Sequence, residues 1–220
     1  DAGVGGVEIN PVQFTGRYIG DDLGIPSLEW LSNEWIDMLE VTFKEAKSLG
    51  MTCDLIVGSG WPWGAEYLTG EELSQVVVIG VRKITGPAVL DVSTEEIFRE
   101  ADPAINSAYA GKTKHLLSLQ LVPDPLKDLQ EVTILSVSPG QEFITVRVPE
   151  GSHALYSLVK VSGFMQVING TPGATGPVLN HFNSDAVQRY LQRMSDTIEK
   201  RIGPLSGHLR AMFTDSLELE

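Results

Sequence analysis

Residues 32–64 read SNEWIDMLEVTFKEAKSLGMTCDLIVGSGWPWG, and a helical repeat gives way there to a strand and a glycine-rich loop. Ser32 is a good N-cap, Glu34 falls in the first turn, and apolar residues follow at Trp35, Met38, Leu39, Phe43, Ala46 and Leu49. That i, i+3, i+4 spacing gives one buried helical face, and Gly50 ends it. Met51–Val57 is then short and apolar, with the length of a buried strand, before the loop Gly58–Gly64. Helix, glycine turn, apolar strand and glycine-rich loop in that order predict a βα repeat.

Working outward, Val7–Pro11 reads as a strand, followed by a polar loop over Gln13–Ser27. From Glu71 to Gly163 the rhythm changes. VVVIGVRKI, AVLDV, HLLSLQLV, EVTILSV, EFITVRV and ALYSLVKV are β-rich runs between Pro, Gly and Asp turns, with one short helical segment around Ser93–Glu100. Six such runs predict an antiparallel sheet or sandwich of their own. The last, Ala154–Val161, serves equally well to return the chain to the first domain. After Gly163 the βα style resumes, with a strand expected ahead of Asn180. Ser184 then caps a helix with apolar residues at Val187, Tyr190, Leu191, Met194 and Ile198, stopped by Gly203 and Pro204. Leu209–Phe213 is a final strand, with Thr214-Asp215-Ser216-Leu217-Glu218 at its C-terminal end. The expected fold is α/β: a partial (β/α)8 barrel of about four strands, over residues 1–70 and 164–220, interrupted by a β-rich antiparallel insert over 71–163.

Composition narrows the function. With 16 Lys+Arg against 29 Asp+Glu the net charge is −13, and no basic stripe is visible, which argues against a nucleic-acid partner. The single cysteine, Cys53, excludes an internal disulfide framework and a cysteine-rich zinc site. No apolar run approaches the roughly 18 residues of a membrane span, so no membrane partner is expected. The chain opens without Met or a leader-like segment and stops beside a strand. It is therefore expected to be a piece of a larger protein, with the remainder of the same polypeptide as a partner.

In a βα scaffold, side chains at the C-terminal ends of the strands carry the chemistry. Four places qualify: Glu8 and Asn10, the loop with Trp61 and Trp63, Asn180 with His181, and Asp215 with Glu218. Indoles stack on the apolar faces of a pyranose, and amides and carboxylates take its hydroxyls. Hydrolysis of a glycosidic bond adds the need for two carboxyl groups. Each position also has a plain structural reading. Glu8 is then a solvated strand residue, the tryptophans are loop packing, and His181 is a core histidine. Asp215 becomes turn chemistry, and Glu218 a solvent-facing terminal residue. His115, His153 and His208 have no partner pattern and read as structural. Asn169-Gly170-Thr171 reads as a tight turn. Gly58–Gly60 lacks the context of a nucleotide-binding loop.

Several segments in order resemble the catalytic region of the α-L-rhamnosidases of glycoside hydrolase family 106 and its relatives. They are GVGGVEI, EAKSLGM, DLIVGSGWPWG, VRVPEGSHALYSLVKVSG, TPGATGPVLNHFNSDAVQRYL and LRAMFTDSLEL. GSGWPWG and the pair GPVLNHF and DSLE are the most specific pieces. The resemblance implies an inverting, secreted or periplasmic hydrolase that removes α-linked rhamnose from plant oligosaccharides or polysaccharides. It also implies calcium as a cofactor, and a chain several times longer than this one. Carried over, it makes Glu218 the proton donor and Asp215 its neighbour or a ligand, with Glu8, Asn10, Trp61, Trp63, Asn180 and His181 lining the pocket. The second catalytic carboxylate is expected outside this chain. Two departures stand out: Asn180 where the family has Asp, and Trp63 where Phe is common. A non-catalytic carbohydrate-binding protein and an inactive fragment are the rival readings.

Overall fold

The computed structural model describes residues 3–13, 27–101 and 113–218. The loop expected over Gln13–Ser27 lies outside them apart from its two end residues. The chain divides into two compact units, Asp1–Ser74 with Met165–Glu220, and Gln75–Phe164.

The first unit holds a parallel sheet of β1 (Gly6–Ile9), β2 (Thr52–Ile56) and β7 (Ala211–Phe213), in the order β1-β2-β7, with α1 (Asn33–Ser48) and α3 (Ser184–Ile202). Ser32 caps α1, its hydroxyl accepting the Trp35 N–H at 3.1 Å. The buried face is Trp35, Ile36, Leu39, Phe43 and Ala46. Met38, expected on that face, is 53% exposed, because it lies roughly 110° round the helix from the centre of the face. In α3 the cap is Asn183, one residue earlier than expected, its carboxamide accepting the Ala186 N–H at 3.2 Å. Ala186, Tyr190, Met194 and Ile198 then repeat every fourth residue and are buried. Alternation along the strands turns Cys53, Leu55 and Val57 toward both helices in one core and leaves Glu8 and Asp54 on the opposite face.

Among the described residues the sheet stops at three parallel strands and does not close. The partial (β/α)8 barrel predicted from the βα rhythm is thus overturned: the described residues hold a parallel three-stranded sheet, a separate antiparallel four-stranded sheet and three α-helices. The misplaced strand is the one expected before Asn180. Val178 and Leu179 instead make single antiparallel bridges to Gly64 and Leu73, so β7 takes the place beside β2 directly. Between Gly176-Pro177 and the turn at Asn180 the apolar run is two residues long, too short for a ladder. Among the described residues no helix is long and apolar enough to cross a membrane.

The second unit is the four-stranded antiparallel sheet, with β3 (Gln75–Ser93), β4 (Thr113–Pro123), β5 (Thr133–Leu135) and β6 (Phe143–Ser162) in the order β3-β6-β4-β5. Four of the six runs read as separate strands merge in pairs, into β3 and β6, while the other two remain β4 and β5. Thr85-Gly86-Pro87 stays extended inside β3, opposite Pro149–Ser152 inside β6, with a register shift between Gly86 and Ala88. Ala154–Val161 lies mid-sheet between β3 and β4 and does not return the chain to the first unit. The helix α2 (Thr94–Ala101) buries Ile97 and Ala101, and Arg82 of β3 pairs with its Glu100 at 2.6 Å.

Gly64 is one of the places where the first unit leaves no room for a side chain. A Cβ there would lie 2.2 Å from the Pro177 carbonyl oxygen and 2.8 Å from the Val178 Cα, both backbone atoms that no rotamer change can move. Gly64→Ala is expected to destabilise by about 2 kcal/mol or more, whereas Gly207→Ala, with nothing within 4 Å, stays within about 0.5 kcal/mol. Urea unfolding of the two variants checks this; equal midpoints would contradict it.

Candidate functional site

Because β1, β2 and β7 are parallel and in register, their C-terminal ends reach one edge of the sheet. Asn10 follows β1, the loop Gly58–Gly64 follows β2, and Thr214–Glu218 follows β7. Glu8 is exposed on β1, level with Asp54. Asp54 itself is buried, and Arg210 grips it through Nε at 3.0 Å and through a second bond from Nη2. That bond holds the Asp54 carboxyl below the usual carboxylate range.

The loop after β2 is built by close backbone approach. Ser59, with 0% exposure, donates its hydroxyl to the Pro11 carbonyl and accepts the Thr171 N–H at 3.0 Å. Gly60 at φ +73° lies against Ile168 and Gly170, where a Cβ would be 2.3 Å from the Ile168 carbonyl oxygen. Trp61 is half-buried and exchanges two backbone bonds with Ile168. Trp63 is only 6% exposed. Its ring lies 4.8 Å, centroid to centroid, from both His181 and Tyr190. The Tyr190 hydroxyl donates to the Gly64 carbonyl at 2.9 Å. The Arg193 guanidinium sits 4.1 Å over the Tyr67 ring, and burial pushes the Tyr67 hydroxyl up to about 12.

Asn180 is engaged in turn formation. Its amide donates to the Glu71 carbonyl at 3.3 Å and its oxygen accepts the Phe182 N–H at 3.1 Å. His181 is half-buried, and both its ring nitrogens are shut away without a hydrogen-bond partner among the described residues. Burial lowers its pKa, so the imidazole stays neutral. Asp215 and Glu218 are exposed and linked through Ser216. The Ser216 N–H donates to Asp215 at 2.9 Å, and its hydroxyl donates to Glu218 at 3.0 Å. Glu218 takes φ +43°, a left-handed conformation uncommon for a side-chain-bearing residue.

The structure therefore joins Trp63 to His181, and Asp215 to Glu218 through Ser216, while Glu8 lies on β1 and Asn10 just beyond its end. Among the described residues no hydrogen bond or ring contact joins the Trp63–His181 pair to these carboxylates. Asp54 and Arg210 escape a sequence reading that looks only at strand ends; the signal was an acidic residue inside the apolar run TCDLIV. Among the described residues, the calcium implied by the family resemblance finds no cluster of carboxylates to hold it. The described residues include no group of three His, Cys, Asp or Glu side chains able to share a metal ion, and the Asn180 amide is already satisfied.

No family model and no curated protein matches this chain. Solved structures do. The rhamnosidase from Novosphingobium sp. PP1Y superposes with a TM-score of 0.52 at 13% sequence identity, covering 97% of this chain and 36% of that one. The chain thus shares its fold with about a third of a rhamnosidase.

His181 gives the site a measurable pH dependence. Above about pH 6.5, its ordinary pKa, the imidazole is neutral in both the folded and the unfolded chain and adds no slope. As the pH falls below that value, the unfolded chain takes up a proton that the buried ring resists, and stability falls. Chemical denaturation between pH 7.5 and 5 is expected to show a steeper loss for the wild type than for His181→Phe. Parallel curves would contradict a buried neutral imidazole.

Proposed function

We propose that this chain is part of a glycoside hydrolase that cleaves α-L-rhamnosidic or closely related linkages. The supporting observation is the likeness to a rhamnosidase over 97% of the chain. In this reading the substrate lies along the C-terminal edge of the parallel sheet, where two arms of carboxylate chemistry, Glu8 on β1 and Asp215 with Glu218 after β7, flank the loop that follows β2.

Glu218 is assigned the proton donated to the leaving glycosidic oxygen. Ser216, which already donates to it, fixes the orientation of the carboxyl group. Asp215 holds the turn that presents Ser216. Glu8, Asn10 and Trp61 line the approach, the first two taking hydroxyls and the half-buried indole offering an apolar face. Trp63, Asn180 and His181 shape the wall behind them. A second carboxyl group, needed to activate water or to attack the sugar, is assigned to the part of the polypeptide beyond these residues.

The test is turnover of an aryl α-L-rhamnoside by the full-length protein, wild type against Glu218→Gln. With the circular dichroism unchanged, kcat/KM is expected to fall by about 10²–10⁴-fold, the usual contribution of a general acid. Unaltered kinetics would remove Glu218 from the role. Failure of the wild type to turn over this substrate, while still retaining rhamno-oligosaccharides on a column, would replace hydrolysis by binding.

A further inference from the structure

The antiparallel sheet of the second unit has two edges, and they are built differently. In the order β3-β6-β4-β5, β5 forms one edge and is three residues long. β3 forms the other and runs for 19 residues, and among the described residues no strand pairs with its outer side. An open edge offers a row of N–H and C=O groups to another chain, so natural sheets guard theirs with short strands, charges, prolines or bulges. β5 is guarded by its length. The second half of β3 is guarded by Arg82, Lys83 and Asp91, by Pro87, and by the register shift between Gly86 and Ala88. The first half, Gln75-Val76-Val77-Val78-Ile79-Gly80-Val81, has none of these devices.

Strand alternation turns Val77, Ile79 and Val81 to one face, where they are 50%, 60% and 55% exposed. On the same face β6 places Leu158 directly opposite Ile79, and Tyr156 opposite Val81, both half-buried. One strand further in, the face turns polar, with Ser118 of β4 opposite Leu158 and Gln120 opposite Tyr156. The apolar stripe thus runs along the unguarded half of the β3 edge.

We infer that this edge pairs with the same edge of a second copy of the chain, antiparallel about a twofold axis at Ile79. In that register Ile79 faces the partner's Ile79, Val77 faces the partner's Val81, and Val76 faces the partner's Arg82. β-Branched residues then meet across the strands, a favoured pairing, and no like charges stand opposite. The second point matters in a chain of net charge −13, whose surface repels a copy of itself; Gln75–Val81 is the uncharged place to meet. Such a pairing uses one patch twice and closes on itself. A ladder over Gln75–Lys83 runs roughly 30 Å. It buries about 900 Å² over the two copies, the size of a weak, concentration-dependent association. The inference is independent of the hydrolase reading, since these residues all belong to the other unit.

Sedimentation velocity of the full chain from micromolar to millimolar concentration tests it, together with oxidative crosslinking. The wild type is expected to pass from monomer to dimer and no further. Ile79→Lys sets two ammonium groups directly opposite each other and is expected to weaken the dimer about tenfold. Val89→Lys, at a position 62% exposed in the guarded half, is expected to leave it unchanged. Ile79→Cys reads the register itself. The twofold brings the two thiols within disulfide reach, so this variant is expected to form a crosslinked dimer on mild oxidation, and Val89→Cys is not. The native Cys53 is buried in the other unit and serves as its own control in the wild type. A monomer at every concentration would overturn the inference and leave the edge to a strand of a different chain. An open series of higher oligomers, a dimer unaffected by Ile79→Lys, or equal crosslinking through Val89→Cys would overturn it as well.

Discussion

The first unit depends on backbone meeting backbone where side chains would ordinarily stand. The loop after β2 and the segment 165–180 have little regular pairing between them, only single bridges at Trp61–Ile168, Gly64–Val178, Leu73–Leu179 and neighbouring points. Those bridges close because Gly60 and Gly64 offer no Cβ at positions where one would fall 2.3 Å and 2.2 Å from a carbonyl oxygen. Ser59 finishes the join from inside, tying Pro11 to Thr171. Glu66 finishes it from outside, its carboxylate accepting the Gly173 N–H at 3.1 Å and the Thr175 hydroxyl. Every aromatic contact of Trp63 follows from that closure, since the loop carries the indole down onto Tyr190 and His181.

The elements that could be read directly were those whose signal is local. Helical spacing and a serine cap placed α1, and a repeat of apolar residues ending at Gly203 placed α3, with the cap displaced by one residue because an asparagine side chain reaches the same N–H groups. What escaped was non-local. Whether Val178–Leu179 joins a parallel ladder or bridges a loop is decided by the glycine opposite, over a hundred residues away in sequence. The merging of four of the six β-runs into two long strands had the same cause. Gly86 permits the Pro149 carbonyl to come where a Cβ would lie 1.8 Å from it, so two apparent turns face each other as a bulge. Turn residues mark where a chain is able to bend, and pairing decides whether it does.

Site residues divide along the same line. Trp63 and His181, read as two separate positions, form one tilted pair because their segments are pinned together. The imidazole's lack of any partner for its ring nitrogens is visible only once the neighbours are in place. The sequence offered residue types suited to a sugar, while burial separates them into wall and surface. Trp63 is enclosed, and Glu8, Asn10, Asp215 and Glu218 are exposed.

The placement of the exposed carboxylates rests on very little ladder. β7 pairs with β2 through three residues only, Ala211 to Phe213. What secures it on either side is the Arg210 N–H bonded to the Cys53 carbonyl at 2.8 Å, and the Val57 N–H bonded to the Phe213 carbonyl at 2.8 Å. The Asp54–Arg210 pair reinforces the first of these with side-chain bonds. Asp54 lies on the sheet face away from the helices, where an aliphatic residue would leave Arg210 without its partner and the entry to β7 without a clamp. The acidic residue in the middle of an apolar strand is therefore a positioning group. It holds Arg210 at the entry to β7, the strand that Asp215 and Glu218 follow.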